Sequence, residues 1–510
     1  MHPADLADLA RSAVQGLPCF AVAIAPAQLA DLARFGAHVL GDIAVLPAGA
    51  PAPAPTRPLL AVHGDTSDIF AHVVGGFARA LTRTRAEIAA FLDAHDPARR
   101  AAIIAYLPVP KDIFGGRPLL AQDAAVSLAL EDKASRALAD ALPGPPTAPL
   151  PWPCDAATWQ DLQRRLGAET LVVQALGHSG AGAGTRIVDR FEHAAHRLAD
   201  LRGRPLRAAP FIAGDPCNAT ALIPAEGPVI ALPPSRQRIA LTPAGRPLYA
   251  GNVFDPADSS ADERAAIADD LRRLGQSLAA LGLRGPFGVD FIRAPDGRRH
   301  YHDLNPRMNG AIGLVADALR GPEGASPLPV LLLARRAFSP TEAAAVEAAA
   351  DAAIQRRPRA RLLLSAPVTR PTRLDALPPS GPWRIDLAPL RATPCPPPVP
   401  WASLPTTPLA DDPLASAAAP PSPASELHLL TLGAPPPSPA PWPAPCAPAP
   451  ELADLVVTLA PGATFVAGDR LVLGELTTSL DLDRRLTAAL GDAAPQRLCE
   501  AILAAPEVAP

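Results

Sequence analysis

Lysine is almost absent from this chain. Of the 46 lysines and arginines in its 510 residues, only Lys111 and Lys133 are lysines. The surplus of Ala, Pro and Arg points to a source with strong GC bias, in which arginine codons displace lysine codons. On a surface that exchange costs little, but a site that needs a compact ammonium on a flexible stem does not accept it. For Lys111, survival by chance is an even alternative; the neighbours of Lys133 favour a retained function. Other absences narrow the classes further. The net charge is −4, the pI is near 6.3 and there is no dense basic stripe, so the footprint of a nucleic-acid binder is missing. No apolar run reaches the ~18–20 residues that a membrane helix needs. The start, MHPADLADLARSAV, carries acids early and no basic-then-apolar block, which argues against a secretory leader. The six cysteines, at 19, 154, 217, 395, 446 and 499, form no C-x-x-C pair, so neither a zinc knuckle nor a disulfide framework is indicated. A reduced, cytoplasmic setting without nucleic-acid or membrane partners is expected.

A chain of this length exceeds one compact core, and two to four domains are expected. Residues 1–115 read as a small α/β unit. Strands are expected at CFAVAIA (19–25), PLLAVHG (58–64) and AAIIAYLPVP (101–110), with a helical stretch from Ser67 to His95. Alternating strands and helices favour a parallel sheet with crossover helices. Next come a helix around ALEDKASRALADAL, a helix over 156–166, a strand ETLVVQAL (169–176), a glycine-rich turn and a strand-like APFIAG (209–214). Ile267, Leu271, Leu274, Leu278 and Leu281 recur at helical spacing over 260–282. Beyond 340 the character changes, because 20 of the 60 residues from 391 to 450 are proline, too many for continuous helix or central strands. Short strands are still expected at RLLLSAP (361–367), ELHLLTL (426–432) and DRLVLGELTT (469–478), with a closing helix near 483–504. A Pro-rich tether is the alternative for this part.

Two segments carry chemistry. In FGVDFIRAPDGRRHYHDLNPRMNG (287–310), two strands flank the turn signal Pro-Asp-Gly. Alternation points Asp303 and Asn305 the same way, and Asp290 on the partner strand reaches that face. Two carboxylates and an amide oxygen suit one or two Mg²⁺ ions that bridge phosphates. Arg307 follows, placed to neutralise a phosphoryl group. A solvated hairpin with ordinary surface charges is an equal alternative from these residues alone. The glycines of SGAGAGT (179–185) let backbone N–H groups approach phosphate oxygens. By itself such a loop is more often a plain turn, and without G-K-[ST] it is no P-loop.

Together, EDK at 131–133, VVQALGHSGAGAGT, GPFGVDFI and HDLNPRMNG resemble the ATP-grasp superfamily over residues 100–320. The resemblance implies an α/β (α+β) fold with a pre-ATP-grasp domain at 1–115, a small subdomain at 116–205, a large subdomain at 206–340 and a Pro-rich, β-containing extension at 341–510. It implies that Lys133, Gln174, Ser179, Gly180, Gly182, Gly184 and Thr185 meet ATP, with Phe211 and Ile212 on the adenine. Asp290, Asp303 and Asn305 would hold Mg²⁺, and Arg307 and Lys133 would act on the transferring phosphoryl group. The chain departs from the family pattern at Gln174, where a second lysine is usual, and at Asp303, where glutamate is usual. Arg186 is a candidate to compensate for the missing charge, and Asp215 or Asn218 a candidate for the ribose. His300 and His302 are placed beside the metal ligands or on the strand surface, and His178 in solvent.

The reaction implied is activation of a carboxylate, an amino acid or peptide, as an acyl phosphate captured by an amine, with release of ADP and phosphate. Arg236, Gln237 and Arg238 are candidates to orient the substrate carboxylate. The alternatives are a non-amine acceptor and a nucleotide-binding regulator without turnover. Small-molecule acid and amine are the expected partners, and self-association is compatible with the sequence.

Overall fold

A computed structural model describes residues 3–24, 26–47, 56–64, 73–177, 182, 184–241, 245–321, 324–333, 337–367, 372–374, 381–387, 390–394, 406–408, 452–457, 463–465, 470–490 and 494–503. Three principal sheets carry the architecture. The first holds β1 (Pro18–Ala23), β2 (His38–Pro47), β3 (Leu59–Gly64), β4 (Ala102–Ala105) and β5 (Leu119–Leu120) in the order β3-β2-β1-β4-β5. Every pairing is parallel, as the alternation of strands and helices predicts. β2 had no counterpart in the sequence reading because Gly41 and Asp42 interrupt its apolar run. The structure explains both residues. A Cβ on Gly41 would lie 2.8 Å from the Phe91 ring. Asp42 is buried but accepts two bonds from Arg57, at 2.6 and 2.8 Å. The helical stretch expected from Ser67 to His95 is two helices, Val73–Arg83 and Arg85–His95, with 65–72 outside the described residues.

The second sheet is antiparallel, in the order β6-β9-β7-β8, with β6 Ala148–Leu150, β7 Leu171–Ala175, β8 Thr185–Val188 and β9 Leu206–Pro210. Helix Ala156–Leu166 packs Trp159 and Leu162 against it. It starts on the Asp155 carboxylate, which accepts from the Thr158 N–H, and stops at Gly167 in the left-handed region, φ 64°. The strand expected at 209–214 is shifted: β9 ends at Pro210, and Phe211–Gly214 is the link into the third sheet. A boundary at 205 would therefore cut one strand from its own sheet.

Among the described residues the third sheet has eleven strands. β10 (Asp215–Ile223), β11 (Ile230–Ala231), β12 (Ser235–Leu241), β13 (Pro247–Phe254), β14 (Gly285–Arg293), β15 (Arg299–Asn305) and β16 (Arg359–Pro367) are joined by strands Arg470–Ser479, Leu452–Val457, Gly381–Leu387 and Leu390–Pro394. The pairings are antiparallel. The strands expected at 361–367 and 469–478 thus lengthen this sheet, while 426–432 lies outside the described residues. Helix Ala261–Ala280 lays Ile267, Leu271, Leu274 and Leu278 on Phe287, Val289 and Phe291. Burial of each such side chain stabilises by roughly 1.5–3 kcal/mol. Leu281, expected on the same stripe, follows the last helical turn and is 56% exposed. Among the described residues, no helix is long and apolar enough to cross a membrane.

Candidate nucleotide and metal site

The second and third sheets face a cavity of about 600 Å³. Its floor is the hairpin β14–β15, where Asp290 lies directly opposite Asp303 and Gly288 opposite Asn305. Between Asp303 and Tyr301 the register slips by one residue, so His302 is the extra residue of a bulge. Burial pushes the His302 imidazole down to about 4. Tyr301 turns the other way, and its hydroxyl donates to Asp270 at 2.7 Å on the covering helix, which anchors the packed face of β15.

Asp290 is enclosed by carboxamides. Asn218 and Gln237 donate to its Oδ1, at 2.6 and 3.0 Å, and Asn305 donates to Oδ2 at 3.1 Å. Burial, then the neighbouring Asp303 charge, raises its pKa to about 6. Asp303 goes the other way, held low against its own burial chiefly by Lys133, whose ammonium forms an ion pair with it. Two carboxylates facing each other across one strand pair, with an amide beside them, are a hard-oxygen set whose mutual repulsion a divalent cation would relieve. The residues therefore fit Mg²⁺. Among the described residues no group of three or more His, Cys, Asp or Glu is arranged around a metal, so this set depends on the amide oxygen of Asn305.

The segment before the small sheet is tied to the hairpin by two ion pairs. Lys133 meets Asp303, and the Arg307 guanidinium meets Glu131 at 3.0 Å. Arg307 also donates to Asn305 Oδ1 at 3.0 Å. Lys111 is exposed, pairs with Asp123 at 3.5 Å and lies off the cavity, in keeping with chance survival.

Gln174 and Thr185 sit side by side on β7 and β8 and line the cavity with Gly182, Phe211 and Ile212. Gly184 passes its carbonyl to the Ala175 N–H at 2.8 Å. Ser179, Gly180 and His178 lie outside the described residues. Gly182 has φ 78° and a Cβ there would lie 2.0 Å from the Pro247 carbonyl, so the loop runs against the start of β13.

The structure separates the three substrate candidates. Gln237 lines the cavity and bonds Asp290, whereas alternation turns Arg236 and Arg238 to the opposite face. Arg236 pairs with Asp258 at 3.0 Å and Arg238 with Asp483 at 2.5 Å, and neither lines the cavity. Arg186 is likewise spoken for, by Asp200. Asp215 pairs with Arg293 at 2.7 Å, while Asn218 faces the cavity. Among the cavity residues, Glu131 and Asn309 lie inside the quoted motifs but were given no role there, and Arg207 lies outside them. Glu131 opens the EDK motif, and Asn309 follows the hairpin strands and donates to Thr220 at 2.8 Å. Arg207 lies on β9 opposite Gln174, a pairing that becomes visible only once the strand register is known.

This arrangement of sheets recurs in solved structures. Biotin carboxylase from Campylobacter jejuni, in its beta-gamma-ATP complex, superposes with a TM-score of 0.52 at 10% identity, over 93% of this chain and 91% of that one. N5-carboxyaminoimidazole synthase from Aspergillus clavatus, in complex with ADP and 5-aminoimidazole ribonucleotide, gives 0.51 at 12% identity, over 95% and 99%. Pyruvate carboxylase from Rhizobium etli gives 0.51 at 12% identity, over 93% of this chain and 37% of that one. The fold is that of the ATP-grasp superfamily. No protein-family model matches the sequence. No curated protein matches it either. The ATP-grasp likeness is thus carried by architecture, and coverage above 90% takes it past residue 340 into the C-terminal strands. The mixed α/β fold expected from the sequence, with an N-terminal α/β domain and a β-containing C-terminal part, is the one observed.

Proposed function

We propose that the chain is an ADP-forming ligase that activates a carboxylate with Mg-ATP. The observation that carries the reading is the meeting of Asp290, Asp303 and Asn305 with Lys133 and Arg307 in one cavity between two ATP-grasp sheets. Phosphoryl transfer asks a protein chiefly for positioning and for charge against the phosphates, and this set supplies both. Asp290, Asp303 and Asn305 would hold Mg²⁺, which would supply Lewis-acid chemistry and positive charge against the phosphates.

In the proposed reaction, a carboxylate oxygen of the acid attacks the γ-phosphorus as the bond to the ADP oxygen breaks. An amine then attacks the acyl carbon, phosphate departs, and the amine loses a proton, giving an amide. Lys133 offsets phosphate charge, and Arg307 stabilises charge on the phosphoryl group in transit. Both cations enter the reaction from ion pairs, so binding exchanges Asp303 and Glu131 for phosphate oxygens. Gly182, Gly184 and Thr185 cover the phosphates, Phe211 and Ile212 meet the adenine, and the walls exclude water from the acyl phosphate. An amino acid or short peptide is the acid proposed, and Gln237 is the substrate candidate that stays at the cavity. A regulator that binds nucleotide without turnover is the second reading, motivated by Gln174.

The test is release of ADP from Mg-ATP in the presence of pools of amino acids and short peptides. Release that requires both an acid and an amine, and vanishes in Lys133→Ala, is expected. Tight Mg-dependent binding without release against any pool would favour the regulator.

A further inference from the structure

Among the described residues, three lysine or arginine side chains line the cavity: Lys133, Arg207 and Arg307. Two of them are ion-paired, with Asp303 and Glu131. Arg207 is bound to neutral oxygens. Its Nε and one terminal nitrogen donate to Gln174 Oε1, at 3.1 and 2.9 Å, and the other terminal nitrogen donates to the Lys133 carbonyl at 2.7 Å. A guanidinium carries five N–H groups. Three are used, and two remain, one on each terminal nitrogen of a guanidinium that Gln174 and the chain at Lys133 hold in place. Asp303 and Asp132 reach this cation only through space, and burial disfavours its charge. Keeping a desolvated, unpaired cation at a cavity wall is costly unless an anion arrives.

The cross-strand register brings Gln174 to the same wall. Gln174 on β7 lies directly opposite Arg207 on β9, and beside Thr185 at the end of the glycine loop. The amide oxygen of Gln174 is taken up by the guanidinium, so it has little left to offer a ligand. Its amide nitrogen stands 3.5 Å from the Thr185 hydroxyl. Gln174 is therefore placed to aim Arg207.

We propose that Arg207 is a polyphosphate-binding residue, and that Gln174 is its positioning residue. The two remaining N–H groups would donate to non-bridging phosphate oxygens, in the charge-assisted hydrogen bonds that guanidinium and phosphate favour. The cation of this wall thus sits on β9 instead of β7. The assignment rests on the nucleotide-binding reading and adds to it which residue of the small sheet meets the phosphates.

The experiment titrates Mg-ADP and, separately, adenosine into the full chain, its Arg207→Gln variant and the double variant Gln174→Lys, Arg207→Gln. The expected result is a rise of about 30-fold or more in Kd for Mg-ADP in Arg207→Gln, within the range of lost charge-assisted hydrogen bonds. Adenosine, which has no phosphate, should bind as before. The double variant, which moves the charge back across the strand pair, should recover most of the loss. Unchanged Mg-ADP binding in Arg207→Gln would overturn the assignment, and so would an equal weakening of adenosine, the mark of a merely structural residue. Failure of the unsubstituted chain to bind Mg-ADP would instead overturn the nucleotide reading, and Arg207's role with it.

Discussion

Asp303 occupies two environments at once. One of its oxygens is held by Lys133, and its charge is felt by Asp290 across the strand pair. Asp303→Asn keeps the volume and removes the charge, so turnover with Mg-ATP should fall by about 10²–10³, the scale for losing a preorganised electrostatic group. Steady-state ADP release at saturating Mg²⁺ measures it, and turnover within threefold of the parent would remove Asp303 from the site. The cysteines supply a pH-dependent expectation. Burial pushes Cys19 up to about 11 and Cys217 up to about 12, from an ordinary thiol value of 9.0. Because both folded values lie above the unfolded one, the stabilisation these thiols contribute is complete below pH 9 and is lost as pH rises through the folded values. At pH 8 the native thiols should react with a maleimide at least ~100-fold more slowly than after unfolding, because the thiolate is the nucleophile. Mass spectrometry of the labelled peptides reads this directly, and fast native labelling at Cys217 would contradict its burial on β10 in the core shared with helix Ala261–Ala280.

At the scale of elements, the site is one hairpin, one loop and one strand pair. The hairpin was legible in the sequence because its signals are local: a Pro-Asp-Gly turn, two alternating strands, and carboxylates whose spacing sets their face. Arg207 was not legible, because it meets Gln174 across 33 residues of chain through a strand register that no short-range pattern encodes. The trio at 236–238 shows the same limit from the other side. Composition marked three polar neighbours, but alternation sends only Gln237 to the cavity. β2 escaped because its apolar run is broken by Gly41, which makes room for Phe91, and by Asp42, which is paired with Arg57. The loop carries its own expectation. A side chain at Gly182 would strike the Pro247 carbonyl and would also need φ 78°, so Gly182→Ala has no relaxed form of the observed loop. Kd for Mg-ATP should rise by about tenfold or more while the melting temperature moves little, since Gly182 adds no side chain to the core. A drop in melting temperature with unchanged Kd would reverse the assignment of the loop from nucleotide to fold.

Across the whole molecule, the described C-terminal strands are bound into the sheet that carries Asp290, Asp303 and Asn305. Strand Arg470–Ser479 pairs with β16 along its length, and helix Leu480–Leu490 places Asp483 on Arg238 and Arg484 on Asp255. β12 therefore carries Gln237 towards Asp290 on one face and Arg238 towards the C-terminal helix on the other. The Pro-rich tether expected as an alternative does not describe the strands and helices seen at 359–367, 470–490 and 494–503, although the most proline-dense segment lies outside the described residues. Arg238→Ala strands the buried Asp483 carboxylate, and should destabilise the fold by about 3–5 kcal/mol. Denaturant unfolding measures this, and a loss below about 0.5 kcal/mol would mean that the helix is not docked there.

The central claim is that a carboxylate oxygen attacks the γ-phosphoryl group of ATP. Its most direct test is to supply the pooled amino acids and peptides with ¹⁸O in their carboxylates and to follow the label by mass spectrometry. The account predicts ADP and inorganic phosphate carrying one ¹⁸O from the acid. Label in AMP, or ADP formed with unlabelled phosphate, would contradict it.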